Sequence, residues 1–490
     1  MGAGLAPVAA AAGHTVLLYD LDEAACDKAL AGIRAQFVRL AGKGRLEPAP
    51  ADAAGCRTRA VRALAECAGA ALIVEAAAGR LDGKREIFAT PERHVDERCV
   101  LATNTSSISI TSIAAGLRGP QRVAGLHFFD PAPLLALVEV VSGLATAAEV
   151  AQLLYDTAAA WGKRPVMAKS TPGFIVNRVA RPYYAEALRV LNEQGGTPAS
   201  IDAVMRDAGG FRMGPFELMD LIGHDVNFAV TESVFRAYFN DPRYTPSLIQ
   251  HELVNAGFLG RKSGRGLYSY APDAPPPAPE FEAPCVAPAD VVLFEQEGPA
   301  VALHARFAER IPNARQNGAH AAELIAVAGR ASIALTDGRT ATLRAAQTGV
   351  ADLVLVDLAR DYARAGLVAL TRALQCSDAA YADAVGLFQQ AGFRVVGVGD
   401  VPGMVAMRTV AMPANEAADT VNQGVCSPAD LDLAMEKGVN YPCGPLAWAD
   451  AIGIGRVHRV LSHLAASYGE DRYRVSPRIA ALRAAGRPFR

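Results

Sequence analysis

Two stretches of this chain return at one constant spacing, and that duplication limits the possible architecture more than any other feature. TPGFIVNRVARPYYAEALRVLNEQ (171–194) returns as VPGMVAMRTVAMPANEAADTVNQG (401–424), and MGPFELMDLIG (213–223) returns as CGPLAWADAIG (443–453). The offset holds at both ends, since 402 − 172 = 230 and 453 − 223 = 230. Pro172/Pro402, Gly173/Gly403, Arg178/Arg408, Glu186/Glu416, Asp202/Asp432, Gly214/Gly444 and Asp220/Asp450 coincide. Self-similarity at a fixed offset marks one structural unit present twice. The copies are not equivalent: Met407 stands where the first has Asn177, so the second lacks that polar group and reads as structural.

With 490 residues there is room for three or four domains, each with a sizeable core. The expected order is an α/β domain over 1–170, a helical domain over 171–270, a Pro/Ala-rich extended linker over 271–284 and a decayed α/β domain over 285–400. The second helical copy then fills 401–490. In 285–400, apolar runs at Val291–Phe294, Leu353–Val356 and Arg394–Val398 read as strands. GVGDVP (397–402) imitates a glycine loop but has Pro402 and no third glycine, so it is rejected as a nucleotide site.

QRVAGLHFFDPAPLLALVEVV (121–141) sets two ionisable groups, His127 and Glu139, inside apolar, strand-like runs. A carboxylate among Val and Leu loses its hydration unless a hydrogen-bonded partner compensates, and His127 is the nearest candidate. An imidazole held by a carboxylate is oriented and more ready to take a proton, which suits it to be a general base near neutral pH. The plainer alternative is a satisfied core histidine beside an edge-strand glutamate. Ser106, in CVLATNTSSISI, lies where an apolar strand meets a polar turn, and Asn177 lies just inside a helix opened by Pro172 and Gly173. Strand ends are where open α/β sheets bind ligands. Taken singly, Ser106 reads as a turn residue and Asn177 as a cap.

Together NTSS (104–107), GLHFFDPAPLLALVEVV (125–141), STPGFIVNR (170–178), MGPFELMDLIG (213–223) and GRKSGRGLYSY (260–270) resemble the L-3-hydroxyacyl-CoA dehydrogenases, from Met1 to about Tyr270. The resemblance implies NAD as cofactor and an acyl-CoA as substrate. It makes His127 the catalytic base and Glu139 its orienting partner, with Ser106 and Asn177 binding the substrate's reacting oxygen. Two-copy chains of this kind resemble the dehydrogenases of phenylacetate degradation, which act on 3-hydroxyadipyl-CoA, and also 3-hydroxybutyryl-CoA dehydrogenases. Since the helical domain builds the family's dimer contact, the second copy is expected to take a partner's place, with homo-oligomers still open.

A dinucleotide-binding domain normally opens with an apolar strand and G-x-G-x-x-G. Here Gly2 and Gly4 match only the family's later glycines, with a helix over Leu5–Ala12 capped by Gly13 and a strand over Thr15–Tyr19. The first strand is expected to be missing through a truncated or misassigned start. Asp20, ending the next strand, is placed to bind a ribose 2′-hydroxyl and favour NAD over NADP. By resemblance Lys84 approaches NAD and Lys43, in LAGKGRL, lies near the CoA adenosine phosphate, a solvated lysine being the alternative for each. Gly79 stands where the family has Glu, and Asp130, on the cofactor side, where it has Asn.

Lys and Arg total 48 against 50 Asp and Glu, a net charge of −2 that argues against a nucleic-acid surface. The eight cysteines (26, 56, 67, 99, 285, 376, 426, 443) show no C-x-x-C pair or metal-ligand spacing, as expected of reduced thiols in the cytoplasm. No apolar run reaches membrane-span length. Two competing readings are an L-gulonate-type dehydrogenase, which shares the Ser, His, Glu and Asn set, and an inactive binding or scaffold protein, motivated by the missing strand, Gly79 and Asp130.

Overall fold

The computed structural model describes residues 1–44, 47–77 and 79–490, and the chain divides into two compact units. One comprises residues 1–178 with 423–439, the other 179–422 with 440–490.

The first unit is a split α/β sheet. β1 (Val16–Leu18) and β2 (Thr58–Ala60) form a parallel pair by themselves. β3 (Leu72–Glu75), β4 (Val100–Thr103), β5 (Val123–Phe128), β6 (Leu137–Ser142) and β7 (Arg164–Lys169) form a second sheet in that order. Only β5 and β6 are antiparallel neighbours. β4 and β5 are buried along their whole length, which is why they read as continuous apolar runs rather than alternating ones.

Among the described residues β1 pairs only with β2, and β3 only with β4. The split falls where the doubly wound order would set a central strand. Helix Gly2–Ala11 spans the two pieces: Leu5 packs with Ala102 and Leu126, while Ala6 and Ala10 pack with Ile33 and Phe37. That helix begins three residues earlier than the sequence suggests, because the Met1 carbonyl already accepts the Gly4 and Leu5 N–H groups. β1 is shorter than expected by one residue at each end.

Residues 423–439 of the second helical copy belong to this first unit. Their helix, Pro428–Gly438, packs on β6 and β7, with Leu137 against Gly438 and the Lys169 N–H donating 2.9 Å to the Val425 carbonyl.

In the second unit the sheet contains β8 (Val291–Phe294), β9 (Arg315–Asn317), β10 (Leu324–Ala328), β11 (Ala331–Leu335), β12 (Leu353–Val356), β13 (Leu367–Arg372) and β14 (Arg394–Gly397). The order is β14-β13-β12-β11-β10-β8-β9. β11/β12, β12/β13 and β13/β14 are parallel, antiparallel and parallel, as are β4/β5, β5/β6 and β6/β7. β13 starts 367 − 137 = 230 residues after β6, so the duplication reaches back into the α/β region. GVGDVP serves this framework: Asp400 accepts the Ala341 and Thr342 N–H groups at the start of helix Ala341–Thr348.

The two helical copies interlock in the same unit. Arg408 donates to Glu186 at 3.0 Å, and Arg243 donates to Glu416 at 3.2 Å, each pair buried. The Pro/Ala-rich stretch, expected as an extended linker, is docked at its end: Phe281 bridges Val396, the Glu282 N–H donates to the Val395 carbonyl, and Tyr381 donates to Glu282. An edge strand with unpaired backbone groups draws an extended segment into register even where that segment lacks apolar periodicity.

Candidate active site

Sheet register creates the central pair. β5 and β6 are antiparallel with His127 directly opposite Glu139, and residues opposite one another project to the same face. Nδ1 of His127 lies 2.6 Å from Oε2 of Glu139. Both side chains are buried, His127 at 5% exposure and Glu139 at 0%. A carboxylate only accepts, so Nδ1 carries the proton and Nε2 presents its lone pair. Among the described residues nothing hydrogen-bonds Nε2. Phe129 and Phe174 flank the imidazole, with ring centroids 4.5 and 5.9 Å away.

The other carboxylate oxygen, Oε1, accepts the Ile175 and Val176 N–H groups, both at 3.0 Å. Glu139 thus fixes the turn after β7 while holding His127. Pro172 to Ile175 form that turn, and the short helix begins at Val176, later than the sequence suggests. Asn177 follows directly, half-buried, one residue beyond a backbone group bound to Glu139.

Ser106 reaches the same neighbourhood from the carboxyl end of β4. Asn104 Oδ1 accepts the N–H of Phe128, the residue after His127, at 2.8 Å, which ties the NTSS turn to the β5 end. Ser106 is half-buried two residues further on. His127, Glu139 and the Asn177 turn are therefore joined by direct hydrogen bonds, and Ser106 joins them through Asn104.

Beneath this loop lies a group that sequence reasoning missed. Glu75, ending β3, accepts Lys84 Nζ at 2.8 and 2.9 Å and Thr103 Oγ1 at 2.7 Å, while Lys84 also donates to the Ala77 carbonyl. Lys84, expected to approach NAD, is 5% exposed, and its ammonium ties the end of β3 to the Ala77 carbonyl. The signal was present, since LIVE sets a glutamate beside apolar strand residues as LALVEVV does for Glu139.

The other expected positions are more open. Gly2 and Gly4 form the first turn of helix Gly2–Ala11, where a Cβ would lie 3.9 Å from Ala76 and 3.8 Å from Ala132 and Pro133. Neither glycine is needed for packing, so this helix N-terminus can accept an anion closely. Asp20 is exposed just past β1 and accepts the Asp22 N–H at 3.0 Å. These groups at the strand carboxyl ends suit a dinucleotide. Asp130 is exposed after β5, and Lys43 is exposed at the end of helix Glu23–Gly42. Gly79 has φ of +154°, a backbone conformation in which a larger residue such as the family's Glu would be strained.

Comparison with known proteins agrees with this geometry. Residues 1–171 match the 3-hydroxyacyl-CoA dehydrogenase NAD binding domain, and 173–270 and 403–490 match the C-terminal domain of the same enzymes. Residues 333–402 match the 3-hydroxybutyryl-CoA dehydrogenase reduced Rossmann-fold domain. The chain is 44% identical over 474 residues to the 3-hydroxyadipyl-CoA dehydrogenase of Escherichia coli, covering 97% of this chain and 93% of that protein. It is 38% identical to a probable 3-hydroxybutyryl-CoA dehydrogenase of Bacillus subtilis, over 55% of this chain and 94% of that one. A crystal structure of 3-hydroxybutyryl-CoA dehydrogenase from Escherichia coli superposes with a TM-score of 0.90 at 42% identity, covering 99% of this chain and 97% of the other. The chain therefore belongs to the 3-hydroxyacyl-CoA dehydrogenase family of NAD-dependent oxidoreductases.

Proposed function

We propose that His127 is the base of a dehydrogenase that oxidises the 3-hydroxyl of an acyl-CoA to a 3-oxo group. The observation that carries this is the 2.6 Å contact of Nδ1 with Glu139, which leaves Nε2 as the acceptor. Nε2 takes the hydroxyl proton, and Glu139 stabilises the imidazolium that results. Ser106 and Asn177 hold the reacting oxygen. Bound NAD would supply the acceptor for the hydride that leaves C3. Gly2, Gly4 and Asp20 would hold it, the glycines toward the pyrophosphate and Asp20 toward the ribose. Asp130 completes the cofactor side, and Lys43 faces the CoA adenosine phosphate.

For the acyl chain, the full-length likeness to a 3-hydroxyadipyl-CoA dehydrogenase favours a dicarboxylic substrate, with 3-hydroxybutyryl-CoA as the second reading. The second copy takes the place of a dimer partner, a reading supported by the buried Glu186–Arg408 and Arg243–Glu416 pairs and by helix Pro428–Gly438 on β6 and β7. Eight free thiols support a cytoplasmic location.

Steady-state rates on both CoA thioesters, with NAD binding titrated separately, test the assignment. A higher kcat/KM on 3-hydroxyadipyl-CoA is expected. Failure to bind NAD would return the chain to the inactive scaffold reading.

A further inference from the structure

Away from the reaction site, the second unit carries a cavity of about 620 Å³ lined by Glu297, Gly453, Arg456, His458, Arg459 and Arg483, among others. Arg456 and Arg459 are three apart on helix Ile454–Tyr468 and so share a face, and helix Pro477–Ala485 brings in Arg483. Three guanidiniums stand against one lining carboxylate, Glu297, for a wall of +3 − 1 = +2.

These cations are only partly compensated. Arg459 donates from Nη1 to Glu323 at 2.6 Å, but its buried Nε has no acceptor. Arg483 donates 3.1 Å to Nδ1 of His458, which makes that imidazole an acceptor and neutral. Burial, then Arg483, hold His458 below the usual histidine range. The half-buried guanidinium of Arg456 makes no hydrogen bond or close ion pair among the described residues. Burial, then repulsion from Arg459, lower its hold on its proton.

The duplication supplies an independent observation. The offset of 230 pairs Arg456, His458 and Arg459 with Val226, Phe228 and Ala229; past the turns Pro242–Tyr244 and Asp471–Tyr473 the offset is 229, since 477 − 248 = 229, and Arg483 pairs with Val254. The first copy has no cation at any of the four positions. The second copy lost the polar group at Met407 and holds a cationic wall that the shared fold does not require.

We propose that this cavity binds a phosphate-bearing anion. Planar guanidinium forks match phosphate oxygens in pairs, and the N-terminus of the 15-residue helix Ile454–Tyr468 adds its positive dipole end beside Gly453. The volume is within the range of organic ligand sites, so the phosphate can belong to a small ester or nucleotide as well as to an inorganic ion.

Calorimetric titration of the full chain at low ionic strength, with NAD and acetoacetyl-CoA saturating so that the cofactor and CoA sites are filled without turnover, tests this with two probes, pyrophosphate and adenosine 3′,5′-bisphosphate. Saturable binding of either is expected, and tighter binding of the bisphosphate would identify an organic phosphate as the occupant. Arg456→Gln and the more exposed Arg483→Gln should each weaken binding about tenfold or more while kcat on the acyl-CoA stays within about twofold. A melting temperature unchanged in Arg483→Gln keeps the result from reflecting misfolding. Absence of saturable binding of both probes, or affinity unchanged in both variants, overturns the proposal.

Discussion

Asp357 stands where the duplication would place a second His127, since 357 − 127 = 230, and it takes over the structural half of what Glu139 does. Its carboxylate accepts the Val405 and Ala406 N–H groups at 2.9 and 2.6 Å and the Met407 N–H at 2.9 Å, the counterparts of the turn that Glu139 anchors through Ile175 and Val176. Across the strand pair, Ala369 replaces Glu139, with the Asp357 N–H donating to its carbonyl at 3.0 Å. The second half kept the anchor and lost the imidazole.

His127→Gln should lower kcat by about two to four orders of magnitude with acyl-CoA binding nearly intact, because the base acts mainly in the transition state. Glu139→Gln should cost a similar factor, since an amide N–H facing Nδ1 reverses the tautomer and removes the lone pair from Nε2. Stopped-flow rates and a direct binding titration separate the effects. More than about a tenth of kcat retained in His127→Gln would sink the base assignment.

Met407 is fully buried, so Met407→Ala should cost about 2 to 5 kcal/mol of stability and leave KM for the acyl-CoA unchanged. Asn177→Ala should do the reverse. Urea unfolding beside steady-state kinetics distinguishes them, and matching kinetic effects would reveal a second working site.

Burial outweighs the N–H donors at Asp357 and pushes its carboxyl from 3.8 up to about 6. A folded-state pKa above the unfolded one gives stability that is full below about pH 4 and lost as pH rises through about 6, on the order of 3 kcal/mol. Asp357→Asn should flatten that slope and leave stability at pH 4 close to the parent's, because at that pH the protonated carboxyl, like the amide, sets one donor group against the N–H groups. Urea midpoints from pH 4 to 7 check both, and an unchanged slope in the variant would exclude Asp357 as its source.

Lys84→Met leaves the Glu75 carboxylate buried without its cation and should destabilise the first unit by about 3 to 5 kcal/mol, with Glu75→Leu in the same chain recovering much of the loss. NAD affinity of that double variant should stay within about threefold of the parent. If NAD weakened more than about tenfold in Lys84→Met at unchanged melting temperature, Lys84 would be a cofactor contact after all.

An apolar strand of about five residues ending in Gly-x-Gly, joined ahead of Met1, should pair with both β1 and β3. Melting temperature and NAD affinity should rise together, with stability increased by several kcal/mol from apolar burial before entropy is subtracted. A rise in one without the other would show that the split sheet and the cofactor site are independent.

The sequence by itself determined what depends on residue type and spacing. The constant offset revealed two helical copies, and an isolated Glu and His among Val and Leu revealed a charge that needed a partner. The apolar runs at 291–294 and 353–356 match β8 and β12 end to end, because a buried strand must be apolar wherever it lies. Tertiary structure decided which groups meet. Antiparallel register set His127 opposite Glu139, whereas a slip of one residue would have turned them to opposite faces. The same logic hid Lys84, whose partner Glu75 is nine residues away but bound to it only because a helix folds back over the end of β3. Helix Pro428–Gly438 carries no mark of belonging with residues 1–178. Its place depends on apolar faces that match in space across nearly 300 residues of chain, and local periodicity records which face is apolar without recording what covers it.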